Sequence, residues 1–122
     1  MDRAFLLMGA LAGFTGVALG AFAAHGLRGR LSPDMLAVFE TGVRYHMYHA
    51  LALVATAWLM SRTHNRMIAA AGWFFAAGIV LFSGSLYLLA FSRTAALGAI
   101  TPIGGVAFLL GWACLALAAA AH

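Results

Sequence analysis

Four stretches of the chain are almost wholly apolar, and short polar breaks separate them. They run from Ala4 to Ala24, Thr41 to Ser61, Met67 to Phe91 and Thr101 to Ala121. A hydrocarbon core of about 30 Å needs about 20 residues of α-helix at a rise of about 1.5 Å each. Each stretch is therefore long enough to cross a bilayer. Hydrocarbon gives the backbone no hydrogen-bond partner, so a crossing segment has to satisfy itself as a helix. The pattern predicts an all-α, integral membrane four-helix bundle forming one domain, with spans at 4–24, 41–61, 67–91 and 101–121.

The breaks carry their own signals. After the polar connector His25 to Leu31, the sequence Ser32-Pro33-Asp34 combines a capping serine, a proline suited to the first helical position and an acid for the first turn. Met35, Leu36, Phe39 and Val43 then share a face that Asp34, Glu40 and Arg44 avoid. This predicts an amphipathic helix over 33–43, continuous with the second span. Ser61 to Arg66 form a short helix–helix connection, with Trp58 marking the interface beside it. Ser92 to Ile100 form the last connection, and Thr101-Pro102 repeat the cap-plus-proline signal at the start of the fourth span. The N-terminal run ends in Ala21-Phe22-Ala23-Ala24, which resembles a leader cleavage site. Its length exceeds an ordinary leader core of roughly 7–15 residues, so a retained span is expected.

Glycines in the first span, Gly9, Gly13, Gly16 and Gly20, recur every three or four residues and so fall on one stripe. Such a stripe lets a second helix approach closely. Gly104 and Gly105 offer the same in the fourth span. The spans are not copies of one another, and no internal repeat is present.

Composition agrees and narrows the classes. The 122 residues are 65% hydrophobic and only 8% charged, with a mean hydropathy of +0.98. Soluble domains carry about 25% charged residues, so this chain cannot cover itself with a polar surface. The net charge of +4 rests on seven arginines placed singly or in pairs at the edges of apolar runs. That is a membrane-flank distribution and no nucleic-acid footprint. The bilayer is the first expected partner. The arginines divide evenly between the two sides, so they set no orientation; four spans put both termini on the same side of the membrane. Cys114 lies within an apolar run and serves as a small apolar filler.

The residues able to carry chemistry gather at the start of the second span: Glu40, Arg44, Tyr45, His46, Tyr48 and His49. Ionisable groups inside a span are costly and need partners. Glu40 precedes Arg44 by one turn, the favourable order for an ion pair. Thr41, Tyr45, His49, Ala52 and Thr56 form a mostly polar line on the same helix. Its expected partners are Ser83, Ser85 and Tyr87 of the third span and His25 of the first connector. His46 and His49 are three apart and could share a metal, but metal sites need three or four ligands. No metal site, no cofactor and no catalytic set is predicted, and Ser83-Gly84-Ser85 lacks the flanking pattern of a nucleophile elbow.

Four segments, in order, resemble a known family. Gly20-Ala21-Phe22-Ala23-Ala24-His25-Gly26-Leu27 resembles its GAFGAHGL-type segment. Tyr45-His46-Met47-Tyr48-His49-Ala50-Leu51-Ala52, Leu81-Phe82-Ser83-Gly84-Ser85-Leu86-Tyr87 and Ile100-Thr101-Pro102-Ile103-Gly104-Gly105 match further segments. The family is the YgdD/YwdK-like one, domain of unknown function 423, made up of small bacterial membrane proteins without an established activity. The chain departs from it at position 46, often glutamine in relatives, and at Ala23, where glycine is usual. The resemblance singles out His25, Tyr45, His49, Ser83, Gly84, Ser85, Tyr87, Thr101 and Pro102, and assigns them no chemistry. The expectation is a non-enzymatic membrane module, either a homo-oligomer or an accessory subunit of a membrane complex. The alternatives are a small oligomeric transporter or channel using the cluster around His49, and a histidine-based metal or haem protein.

Overall fold

The computed structural model describes residues 2–121. They form α1 (Asp2–His25), α2 (Pro33–Arg62), α3 (Arg66–Gly78), a π-helical turn (Ile79–Ser83) that runs directly into α4 (Gly84–Ser92), and α5 (Leu97–Ala120). The fold is an all-α membrane bundle of four helices, because α3, the π turn and α4 make one rod. Three of the rods are long and apolar enough to cross a membrane: Asp2–His25, Arg66–Ser92 and Leu97–Ala120. α2 is the longest single helix at 30 residues, a rise of roughly 45 Å. Its histidines, tyrosines and Arg44 lower its hydropathy, and it lies where the other helices cover it. α1 packs along it on one side, and α3, the π turn and α4 pack on another. α5 packs chiefly on α3 and the π turn.

The ends follow from local chemistry. Ser32 Oγ accepts from the Met35 N–H at 3.2 Å, with Pro33 in the first turn, and α2 then runs unbroken past Gly42. Asn65 Oδ1 caps α3 by accepting from the Met67 N–H at 2.8 Å. Arg93, in the left-handed region at φ 55°, ends α4. The start of α5 is a correction: it begins at Leu97, and Pro102 lies inside it. Nothing in Ala95-Ala96-Leu97-Gly98-Ala99 stops a helix, and three-residue hydrogen bonds at Leu97, Gly98 and Ala99 lead into it. Pro102 removes only the bond its N–H would have made to Gly98, a position with open space around it.

Two apolar cores divide the bundle along its length. One gathers Phe5, Leu53, Met60, Ile68 and Phe75 with Cys114 and Ala118. The other gathers Ala23, Leu27, Phe39 and Ala90. Between them lies a layer of buried polar side chains.

The glycines divide by what faces them. A Cβ on Gly9 would stand 2.8 Å from Val54 Cγ2 and 3.0 Å from the Val54 nitrogen. One on Gly16 would strike Met47, and one on Gly20 would touch Val43. These three seat α1 on α2. Gly13 meets no helix of the bundle, since nothing lies within 4 Å of its Cβ position. Gly104 has the closest fit against backbone: its Cβ would overlap the main chain of Phe82 in the π turn. The wider π turn bulges toward α5 and only glycine leaves room for it, whereas Gly105 makes an ordinary contact with the Phe82 ring at 3.8 Å. Elsewhere aromatic rings fill glycine positions: Phe5 lies on Gly72, Phe108 on Gly78, Phe75 on Gly111 and Tyr87 on Gly42.

Gly104→Ala should therefore lower stability by about 1–3 kcal/mol, the usual effect of overpacking. Gly13→Ala should be neutral or stabilising by up to about 1 kcal/mol, because alanine favours the helix and meets nothing. Melting temperatures of the two variants in one detergent check this, and equal losses would show that the glycine positions are not distinguished by packing.

Candidate functional site

The polar layer is built on α2. His46 and His49 sit three residues apart and turn in different directions, each into its own set of partners. His46 faces α1 and α4. Its Nδ1 lies 2.8 Å from the Tyr87 hydroxyl and its Nε2 lies 3.2 Å from Thr15 Oγ1. With Tyr87 donating to Nδ1 and Nε2–H donating to Thr15 Oγ1, the Thr15 proton goes to the carbonyl of Leu11 at 3.0 Å or Ala12 at 3.1 Å. Every proton then has an acceptor.

His49 faces α5. Its Nδ1–H donates to the Tyr45 carbonyl at 2.7 Å, and its Nε2 accepts from the Trp112 indole N–H at 3.1 Å. A carbonyl only accepts and an indole only donates, so these bonds fix the tautomer. The ring stacks on Phe108 with centroids 3.5 Å apart and planes 8° from parallel. Phe75, Trp112 and Tyr45 complete an aromatic box at 5.6, 5.9 and 6.3 Å.

The serines of the third rod belong to the same layer but not to the histidines. Ser83 Oγ donates to the Gly42 carbonyl at 2.7 Å and ties the π turn to α2. Ser85 Oγ donates to the Phe82 carbonyl at 2.9 Å and lies 2.6 Å from Thr101 Oγ1, joining α4 to α5. The expected partnering of His49 with Ser83, Ser85, Tyr87 or His25 is thus corrected. The π turn shifts the register of the third rod, so Tyr87 reaches His46 and the two serines reach backbone and α5. His25 is exposed at the last turn of α1 and joins none of these bonds.

Two further expectations change. Glu40 and Arg44 are both exposed and form no ion pair; Arg44 Nη2 donates instead to Thr41 Oγ1 at 3.0 Å. Tyr45 is 38% exposed and packs its ring on Phe82 at 4.8 Å. The histidines do not converge, and among the described residues no group of three or more His, Cys, Asp or Glu side chains could hold a metal. A metal at His49 would have to displace Trp112 from the ring's one nitrogen lone pair.

Thr15, Phe75, Phe108 and Trp112 were not among the sequence candidates. Trp112 carried a usable signal, because an indole N–H in the middle of an apolar span needs an acceptor. The phenylalanines carried none, since a ring in a membrane helix faces lipid as readily as protein.

A protein-family model described as "Protein of unknown function (DUF423)" matches residues 19–105. The chain is similar to the UPF0382 membrane protein YwdK of Bacillus subtilis, 48% identical over 118 residues that cover 96% of each chain. It is also similar to a UPF0382 membrane protein of Haemophilus influenzae, 46% identical over 118 residues covering 95% of this chain and 93% of that one. One from Staphylococcus epidermidis is 46% identical over 116 residues, with 95% and 94% covered. No solved structure matches.

The geometry gives the His49–Trp112 bond a measurable weight. Interhelical hydrogen bonds in membranes average about 0.6 kcal/mol and reach about 1.7. A double-mutant cycle of His49→Phe and Trp112→Phe should return a coupling in that range. The purified parent should carry no stoichiometric metal or haem; either one, present and lost on His49→Gln, would overturn the packing role of this histidine.

Proposed function

The chain belongs to the DUF423 family of proteins of unknown function, and from that premise we propose that it is a non-enzymatic membrane module. It acts by associating with further copies of itself or with a larger complex in the bacterial inner membrane. One observation carries this reading: among the described residues, every buried side-chain nitrogen and oxygen has a hydrogen-bond partner inside the chain. Chemistry on a substrate needs polar groups aimed at a space that the substrate enters. Here the histidines, serines and Tyr87 spend their capacity on one another, on Thr15, Thr101 and Trp112, and on backbone, so the working surface lies outside the bundle.

α1 offers such a surface. It buries only Phe5, Gly9, Gly16 and Ala23, and Leu7, Phe14 and Val17 point outward at 60, 76 and 62% exposure. In a bilayer this face meets lipid or another helix. A second reading, a small oligomeric transporter or channel, draws on the π turn beside Ser83 and Ser85. Interrupted helices line pathways in larger transporters, and π turns recur at functional sites.

The test counts copies in lipid. With Cys114→Ser to remove the native thiol, Val17→Cys should give a disulfide-linked dimer in reconstituted membranes, and native mass measurement should find more than one copy. A monomer at every protein-to-lipid ratio would overturn self-association. Solute-driven flux in liposomes that is lost on changing Ser83 or Ser85 would favour the transporter.

A further inference from the structure

Glu40 and Arg44 stand one turn apart on α2 without meeting. Arg44 gives one nitrogen to Thr41, at 3.0 Å, and keeps the rest of its guanidinium. The Glu40 carboxylate has no partner among the described residues. Both side chains border a groove of about 170 Å³ between α1 and α2, floored by Gly20, Ala23 and Val43. The groove exists because α1 presents no bulk there: Gly20 has no side chain, and Ala23 is a buried methyl.

The depth of this groove decides what it meets. About 20 residues of α2 cross the hydrocarbon, and counting back from Arg62 reaches Gly42. Glu40 and Arg44 therefore straddle the edge of the hydrocarbon, level with lipid headgroups at the His25 end of α1. At that level an unpaired carboxylate and a guanidinium with idle donors both face the charged headgroup layer. One ligand relieves both if it carries an anion and a cation a short spacer apart.

We propose that this groove binds the phosphoethanolamine headgroup of a bilayer lipid, with the phosphate on Arg44 and the ammonium on Glu40. Guanidinium matches phosphate through paired N–H donors. The carboxylate accepts hydrogen bonds from a primary ammonium, which has N–H groups to give. A choline headgroup has none. A glycerol headgroup brings the negative phosphate and no cation, which leaves Glu40 facing like charge. The alignment of the two residues along α2 sets the direction, with the ammonium toward the amphipathic end of the helix and the phosphate toward the span.

The test compares phosphatidylethanolamine, phosphatidylcholine and phosphatidylglycerol of identical acyl chains, each added to delipidated protein in detergent. Retained lipid is read by native mass spectrometry and stability by thermal shift. The parent should keep phosphatidylethanolamine about tenfold over phosphatidylcholine, the discrimination expected of about one charge-assisted hydrogen bond. Glu40→Gln should bring that ratio near one while phosphate lipids still bind, and Arg44→Gln should lose all three. Both residues are exposed, so the lipid-free variants should melt with the parent, which separates a lost site from a lost fold. No headgroup preference in the parent, a preference for phosphatidylglycerol, or a ratio unmoved by Glu40→Gln would each overturn the proposal. An equal thermal shift with soluble O-phosphoethanolamine would overturn the lipid as occupant.

Discussion

Hydrocarbon offers no hydrogen-bond partner, and the layout of this bundle follows from that single fact. A soluble protein can leave a histidine or tyrosine at its surface for water to satisfy. In a membrane span each such group has to find its complement on a neighbouring helix. The helix with the most polar groups, α2, accordingly takes the position with the most neighbours. α1 supplies Thr15, α4 supplies Tyr87, α5 supplies Trp112, and the π turn supplies Ser83. Each outer rod is joined to α2 by at least one directional bond. The apolar cores on either side of this layer supply packing, while the polar layer sets register, because a hydrogen bond is lost by a displacement that van der Waals contact would tolerate.

Glycine and aromatic residues carry out the close fitting. Lipid removes the hydrophobic drive between helices, so contact area and shape have to hold them together. Four rings seated on four glycines give large contact at short helix separation. The His49 ring belongs to this scheme as much as to the polar one: it lies flat on Phe108 while its edge nitrogens are held by Tyr45 and Trp112. The ring is thus held at both edge nitrogens and on one face.

Much of this was readable in the sequence. Four apolar runs with polar breaks gave an all-α bundle, and Ser32-Pro33-Asp34 marked the start of α2 correctly because capping is a local matter. The placement of individual partners was not readable. The Thr101-Pro102 signal was outweighed by the uninterrupted Ala95 to Ile100 run before it, so α5 starts earlier. Gly13 keeps the spacing of its stripe yet faces open space, because a three-or-four repeat is wide enough to straddle the edge of a contact face. The partners of His49 were misassigned for one further reason, the register change in the third rod, which leaves no compositional trace in Ile79-Val80-Leu81-Phe82-Ser83.

That register change has an evolutionary side. A π turn holds one residue more than the α turn it replaces, and here the Gly84 N–H reaches back five residues to Ile79. The rod is equivalent to an ordinary α-helix carrying a single-codon insertion, and everything beyond it is rotated by about 100° from where a continuous helix would put it. Loss of one codon within that turn would restore regular winding and leave Ser85 and Tyr87 close to their partners, because the bulge already absorbs the extra residue. The gene can therefore change length by one codon at this point without re-aiming the helix beyond it, although each side chain within the turn is an ordinary one. Along the third rod, this turn is where a one-residue gap would disturb the neighbouring helices least.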